Sequence, residues 1–209
     1  MRRRLVQLYL GLVLYGFSAS LLVLSGLGLS PWDVLHQGLA KHSSLAIGTW
    51  SILVGLFVLL LWIPLRERPG IGTVSNVVFI GGTMDLVLAH LSRPHELALR
   101  IACLVAGVLL NGVATGAYIG AGLGPGPRDG LMTGLARRGH SIRVVRTSLE
   151  VSVVAIGWLL GGTVGIGTLV YAAAIGPLAH IFVPLFSRKG ASQAEIPQSA
   201  SSMPCTLRD

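Results

Sequence analysis

Two of this chain's eight acidic residues, Asp33 and Asp129, occupy the same place in two copies of one motif. In Ser30-Pro31-Trp32-Asp33 the serine suits a helix N-cap, the proline its first turn, and the aspartate the capping-box position three residues on. In Gly126-Pro127-Arg128-Asp129 glycine replaces the serine, while proline and aspartate keep their places. Each motif follows a glycine-rich stretch, Gly26/Gly28 and Gly122/Gly124, so each starts a short helix whose positive dipole end can receive a solute or ion. The same residues also suit plain interfacial caps. A second matched pair is Asp85 and His180, four residues after Gly81-Gly82 and Gly176-Pro177. Glycine pairs and prolines inside apolar stretches predict helix breaks, and an aspartate there predicts a cation site or a proton relay facing a cavity. A polar group satisfied by a neighbouring helix is the simpler alternative.

These pairs exist because the chain is written twice. Gly26–Ala40 matches Gly122–Ala136 at a spacing of 96, and Gly70-Ile71-Gly72-Thr73 returns as Gly165-Ile166-Gly167-Thr168 at 95. Such a period is far longer than a solenoid repeat and reads as two copies of one folding unit. Asn76 and Tyr171 are matched polar positions compatible with lining a cavity. Arg128 stands where the first copy has Trp32, so the copies diverge at the mouth of the candidate site.

Composition decides the solvent. Of 209 residues 52% are hydrophobic and 11% charged, against about 25% charged in soluble domains. Six spans are expected, near 5–24, 47–65, 71–91, 101–121, 144–160 and 167–186, with short amphipathic helices over 31–40 and 127–137. The fold class is therefore all-α, a polytopic bundle of six transmembrane helices. Residues 1–92 form one repeat, 93–187 a second, and 188–209 a tail expected to be disordered and cytoplasmic. Arg2-Arg3-Arg4 before an apolar run imitates a signal peptide, but the run is too long and reads as an uncleaved span. Placing the N-terminus inside puts 13 Lys and Arg residues on the cytoplasmic side and 3 outside. A repeat of three spans ends opposite its start, so the second copy is inverted relative to the first. Asp85 and His180 then lie about 6 Å from their own breaks on opposite sides of the midplane, about 12 Å apart in depth. They can share a pathway but not a hydrogen bond.

Gly112, Gly116, Gly120 and Gly124 repeat every four residues, with Gly16, Ser20 and Gly28 among their counterparts. Gly16, Ser20, Gly112, Gly116 and Gly120 make a flat stripe, expected to be the seam on which the halves pack. Glu150, one turn beyond Arg146, suits an ion pair near the inner surface. His36 and His140 carry no metal spacing, and Cys103 and Cys205 give no disulfide framework. The net charge of +8 lies in clusters between apolar spans and implies no nucleic-acid partner. No catalytic triad, phosphate loop, metal site or cofactor motif is visible, so an enzyme is not expected.

Gly-Leu-Ser-Pro-Trp-Asp-Val-Leu at 28–35, with Gly165-Ile166-Gly167-Thr168 and Ile175-Gly176-Pro177, resembles the YczE/YyaS/YitT family of bacterial membrane proteins, nearest its YczE branch. The resemblance covers about residues 4–188 and implies a polytopic protein of the bacterial cytoplasmic membrane, without a settled activity. Together these readings make a secondary transporter of a small solute the leading expectation, coupled to protons or another cation. Gly28, Ser30, Pro31, Asp33, Gly124, Pro127 and Asp129 would frame its two half-sites, and Asp85 would be the ion-sensitive group. The alternative is a non-transporting accessory protein that modulates another enzyme or transporter. Lipid is the implied surrounding, and a homo-oligomer or a membrane-protein partner is compatible with it.

Overall fold

Apolar runs interrupted by Gly, Pro and charged clusters fold into eight helices, and the computed structural model describes residues 1–139 and 141–187. They are α1 (Arg2–Ser25), α2 (Pro31–Lys41), α3 (Ile47–Leu65), α4 (Ile71–His90), α5 (Leu97–Gly120), α6 (Pro127–Ala136), α7 (Ile142–Leu159) and α8 (Ile166–Phe186). No strand occurs among the described residues. His140 and the tail expected over 188–209 lie outside them.

Five helices, α1, α3, α4, α5 and α8, are long and apolar enough to cross a bilayer. The expectation of six spans is met to that extent. The fifth expected span is a helix, α7, but its 18 residues include three charged ones, Arg143, Arg146 and Glu150, which set it apart from those five. Outward faces carry Phe57, Leu60 and Ile63 on α3, and Ile166, Leu169 and Ile181 on α8, each more than half exposed. Apolar surface of this extent requires lipid rather than water. The chain is a multi-pass membrane protein.

The small-residue stripe does not pack where the sequence suggests. Gly112, Gly116 and Gly120 face Leu178, Phe182 and Phe186 of α8, while Gly16 faces Ile80 and Thr83 of α4. Ser20 Oγ donates to Gly16 O at 2.9 Å and to Met84 O at 3.4 Å. The stripe thus joins the first and third long helices within each half. The seam between halves is instead the α1–α5 crossing, where Gly11 meets Ala114, Ala117 and Tyr118, and Gly107 meets Ser18 and Leu22. A four-residue stripe marks a face without naming its partner, which explains the misassignment.

The expected breaks are absent. α4 runs unbroken through Gly81-Gly82, and α8 through Gly176-Pro177. Gly81 is a contact glycine instead, set against the Gly48 carbonyl of α3. The true interruptions are the loops after α1 and α5, and each rests on the other half. Gly167 N–H donates to Leu27 O at 2.9 Å, and Gly72 N–H to Leu123 O at 2.8 Å. Thr168 Oγ1 accepts from Leu29 N–H, and Thr73 Oγ1 donates to Pro125 O. Gly28 and Gly124, at φ +134° and +123°, lie against those threonines in a backbone conformation that side chains rarely adopt. Both halves of the repeated sequence are explained at once: the Gly-Ile-Gly-Thr helix start is the seat for the opposite glycine loop.

A Cβ on Gly11 would come within 2.8 Å of the Tyr118 backbone nitrogen, whereas one on Gly82 or Gly176 would meet nothing within 4 Å. Gly11→Leu should therefore cost about 1–3 kcal/mol or more, seen as a lowered melting temperature in detergent. Gly82→Ala and Gly176→Ala should leave it unchanged or slightly raised. Equal destabilisation by all three would refute this packing.

Candidate functional site

The two short helices bring their first turns together at the centre of the molecule. Ser30 caps α2: its Oγ accepts from Asp33 N–H at 3.3 Å and donates to Asp33 Oδ2 at 2.5 Å. The other carboxylate oxygen of Asp33 meets His36 Nδ1 at 3.2 Å, one turn further on. Gly126 offers α6 no side-chain cap. That helix is held instead by Trp62, which donates its Nε1–H to Pro127 O at 3.0 Å and lies against Gly130. Asp129 is turned to α5, where Tyr118 OH donates to its Oδ2 at 2.8 Å.

Trp32 and Arg128, the position where the copies differ in sequence, touch each other. The guanidinium stands 4.8 Å above the Trp32 ring, a cation–π contact strengthened by burial. Arg128 Nη2 also faces His36 Nε2 at 3.4 Å. If Nδ1–H donates to Asp33, Nε2 is left to accept from Arg128, so the relay Ser30–Asp33–His36–Arg128 is consistent with a neutral imidazole. Arg128 has no carboxylate within 4.0 Å among the described residues.

α2 is too short to span, and its Asp33 and His36 are buried. Burial holds His36 below its ordinary value of 6.5, and the Arg128 cation acts in the same direction against the pull of Asp33. For Asp33 burial pushes upward. The His36 hydrogen bond and charge, then Arg128 and Ser30, outweigh it and hold the carboxyl below 3.8. At neutral pH the pair is carboxylate plus uncharged imidazole.

Two cavities flank this cluster. One of about 70 Å³ reaches Asp33, Ser51 and Asn76. The other, about 150 Å³, reaches Trp32, Thr115 and Tyr171. Tyr15, Tyr118, Arg128 and Asp129 line both. Behind them Tyr171 OH donates to Asn111 Oδ1, and Asn111 Nδ2 donates to Ser18 Oγ, a buried network between α1, α5 and α8. Such a chamber can bind a small polar solute.

Of the residues singled out in sequence, Ser30, Pro31, Asp33, Asn76, Pro127, Asp129 and Tyr171 surround the cavities. Gly28 and Gly124 stand behind them, shaping the loops. Gly81, Gly82, Gly176, Pro177 and His180 do not line either cavity, and Pro177 and His180 are exposed on α8. Asp85 is not the ion-sensitive group of a cavity: its oxygens accept from Gly48 N–H at 2.6 Å and Thr49 Oγ1 at 2.7 Å. It satisfies the first turn of α3 and fastens that helix to α4. Burial cost alone cannot distinguish an aspartate serving a neighbouring helix end from one serving a ligand. Sequence reasoning missed Tyr15, His36 and Tyr118 as site residues, and met Arg128 only as a mismatch at the site's mouth. The Trp32/Arg128 mismatch was a usable signal, but nothing in the sequence marks the tyrosines.

The comparisons with known proteins cover nearly the same stretch of chain. Residues 2–184 match the model of a "Family of unknown function (DUF6198)". The chain is 43% identical over 182 residues to an "Uncharacterized protein" of Haemophilus influenzae, covering 87% of this chain and 84% of that one. It is 35% identical over 179 residues to the "Uncharacterized membrane protein YczE" of Bacillus subtilis, covering 84% and 83%. With YyaS of the same organism, an "Uncharacterized protein", it shares 28% over 186 residues, covering 86% and 92%. No solved structure matches. The chain belongs to the DUF6198 family, with YczE and YyaS among its relatives.

Both Asp33 and His36 bind protons less readily here than in an unfolded chain. Stability from them is complete above about pH 6.5 and is lost as pH falls, first as His36 protonates and then as Asp33 does. Melting temperature should fall between about pH 7.5 and about 5, and His36→Gln should flatten that fall. A slope the variant leaves untouched would rule out His36 as its source. Asp85→Asn should destabilise the fold by about 0.5–2 kcal/mol, the loss of a helix cap, seen as a lowered melting temperature.

Proposed function

We propose that this member of the DUF6198 family is a secondary transporter of a small solute, built as a 3+3 inverted-topology repeat in the bacterial cytoplasmic membrane with both termini cytoplasmic. The observation that carries the reading is the chamber around Arg128, framed by the matched first turns of α2 and α6 and lined by both halves. Inverted transporters place solutes where interrupted segments of the two repeats meet.

Three further features support it. The reciprocal seating of each glycine loop on the opposite half suits repeats related by an in-plane axis. The 13-to-3 distribution of Lys and Arg suits opposite facing of the copies. α7 can serve as the sixth span because Arg146 and Glu150, paired at 2.9 Å, line the 150 Å³ cavity rather than being left alone in lipid. In this reading the halves rock about the α1–α5 seam. No catalytic step and no cofactor is part of it.

The reading makes two measurable demands. Single cysteines at Lys41 and Arg137 should label from opposite sides of right-side-out vesicles; labelling from one side would remove the inversion. In proteoliposomes offered a mixture of small solutes, uptake by the wild-type chain should fall by about tenfold or more in Arg128→Gln and Asp129→Asn. No uptake of any solute, together with a stable membrane partner co-purified in mild detergent, would replace transport with an accessory role.

A further inference from the structure

One side of the molecule lacks the packing its counterpart has. α3 lies along α4, fastened by Asp85 to Gly48 and Thr49. α7 has no such contact with α8; it packs on α2 instead, where Gly157 lies against Leu35. The residue matched to Asp85 is His180, exposed on α8 and bonded to nothing among the described residues. Between α7 and α8 lies an apolar groove of about 490 Å³, walled by Val151, Val154, Ala155 and Trp158 on one side and Leu169 and Ala172 on the other. Trp158 and Leu169 are 63% and 71% exposed, so the groove opens sideways toward lipid.

The groove does not end blindly. Pro31, Glu150 and Ala172 line both it and the 150 Å³ cavity, so the groove adjoins the Arg128 chamber across these three residues. Each carboxylate in that chamber has a partner, Asp129 in Tyr118 and Glu150 in Arg146. The Arg128 cation instead faces the His36 imidazole and the Trp32 ring, and no carboxylate lies within 4.0 Å of it among the described residues. A guanidinium so placed can receive an anion.

We propose that groove and chamber together form one binding site for a single-chain fatty acid, with its carboxylate on Arg128 and its chain between α7 and α8. A groove of this volume falls in the range of single small-molecule sites, about 300–1,000 Å³, and guanidinium receives a carboxylate through two parallel hydrogen bonds. The site deepens the transport reading by naming its solute class, and rests on that reading only for what happens after binding.

The test is photolabelling of the full chain in phosphatidylcholine nanodiscs with a diazirine palmitate, mapped by mass spectrometry. Adducts should concentrate on 151–158 and 169–172, be competed by palmitate, and be spared by dodecyltrimethylammonium. Arg128→Gln and, independently, Ala155→Trp should each lower labelling by about tenfold, the loss of one charge-assisted contact or of the space for the chain. Melting temperature shows whether each variant is folded. Adducts spread over α3 and α4, equal competition by the cation, competition by lysophosphatidate in preference to palmitate, or labelling indifferent to both folded variants would overturn the site. Labelling as described without flux would remove transport alone, and flux of a water-soluble solute with no groove adducts would remove this inference alone.

Discussion

The structure depends on how an interrupted chain satisfies its backbone away from water. Each half leaves the helical ladder after its first long helix, and free N–H and C=O groups in an apolar setting cost several kcal/mol apiece. Leu27 O and Leu123 O are two such groups, and each is taken by the second glycine of the opposite half's Gly-Ile-Gly-Thr start. The N–H groups taken are themselves orphans of a helix first turn. One exchange therefore solves two deficits, and it can do so only if the halves are seated against each other. The position of α2 and α6 follows, because each begins within a few residues of its seated loop.

From that seating the chamber acquires its unequal chemistry. Two identical short helices meeting head to head would place two positive ends and two carboxylates in one volume. Divergence at a single matched position, Trp32 against Arg128, converts that arrangement into a stacked cation and a relay through His36 to Asp33. Tyr118 donates to one oxygen of Asp129. The result keeps the geometry of duplication while making the two sides of the chamber chemically unlike.

Legibility of this arrangement in sequence followed the range of the interactions. The helix starts at Pro31 and Pro127 were readable because caps are local, decided by three or four consecutive residues. The apolar stretches were readable for the same reason. The partner of the Gly112–Gly116–Gly120 stripe was not, since a smooth face packs on whichever helix arrives, and here that is α8 within the same half. Asp85 was misread because its role is set by α3, thirty-seven positions away in sequence, through Gly48 and Thr49. Gly81-Gly82 and Gly176-Pro177 were misread as breaks, although helices hold such residues when neighbours or lipid leave room. Arg128 was visible as an anomaly and acquired meaning only once α2 faced it.

The two mismatches between the copies, Trp32/Arg128 and Asp85/His180, are physically connected. The first puts a cation in the chamber; the second leaves α7 unfastened from α8, so that an open groove adjoins the chamber on that side. If the second half carried an aspartate at 180 facing a helix start, α7 would be drawn onto α8 as α3 is onto α4, and the groove would close. If the first half lost Asp85, the seal there would depend on glycine contacts such as Gly48 on Gly81 alone. A carboxylate that caps a neighbouring helix is a lock whose strength is only a few hydrogen bonds, comparable to the energy a seated ligand supplies. Duplication provides two equivalent sides, and the presence of that lock on one of them selects which side is open.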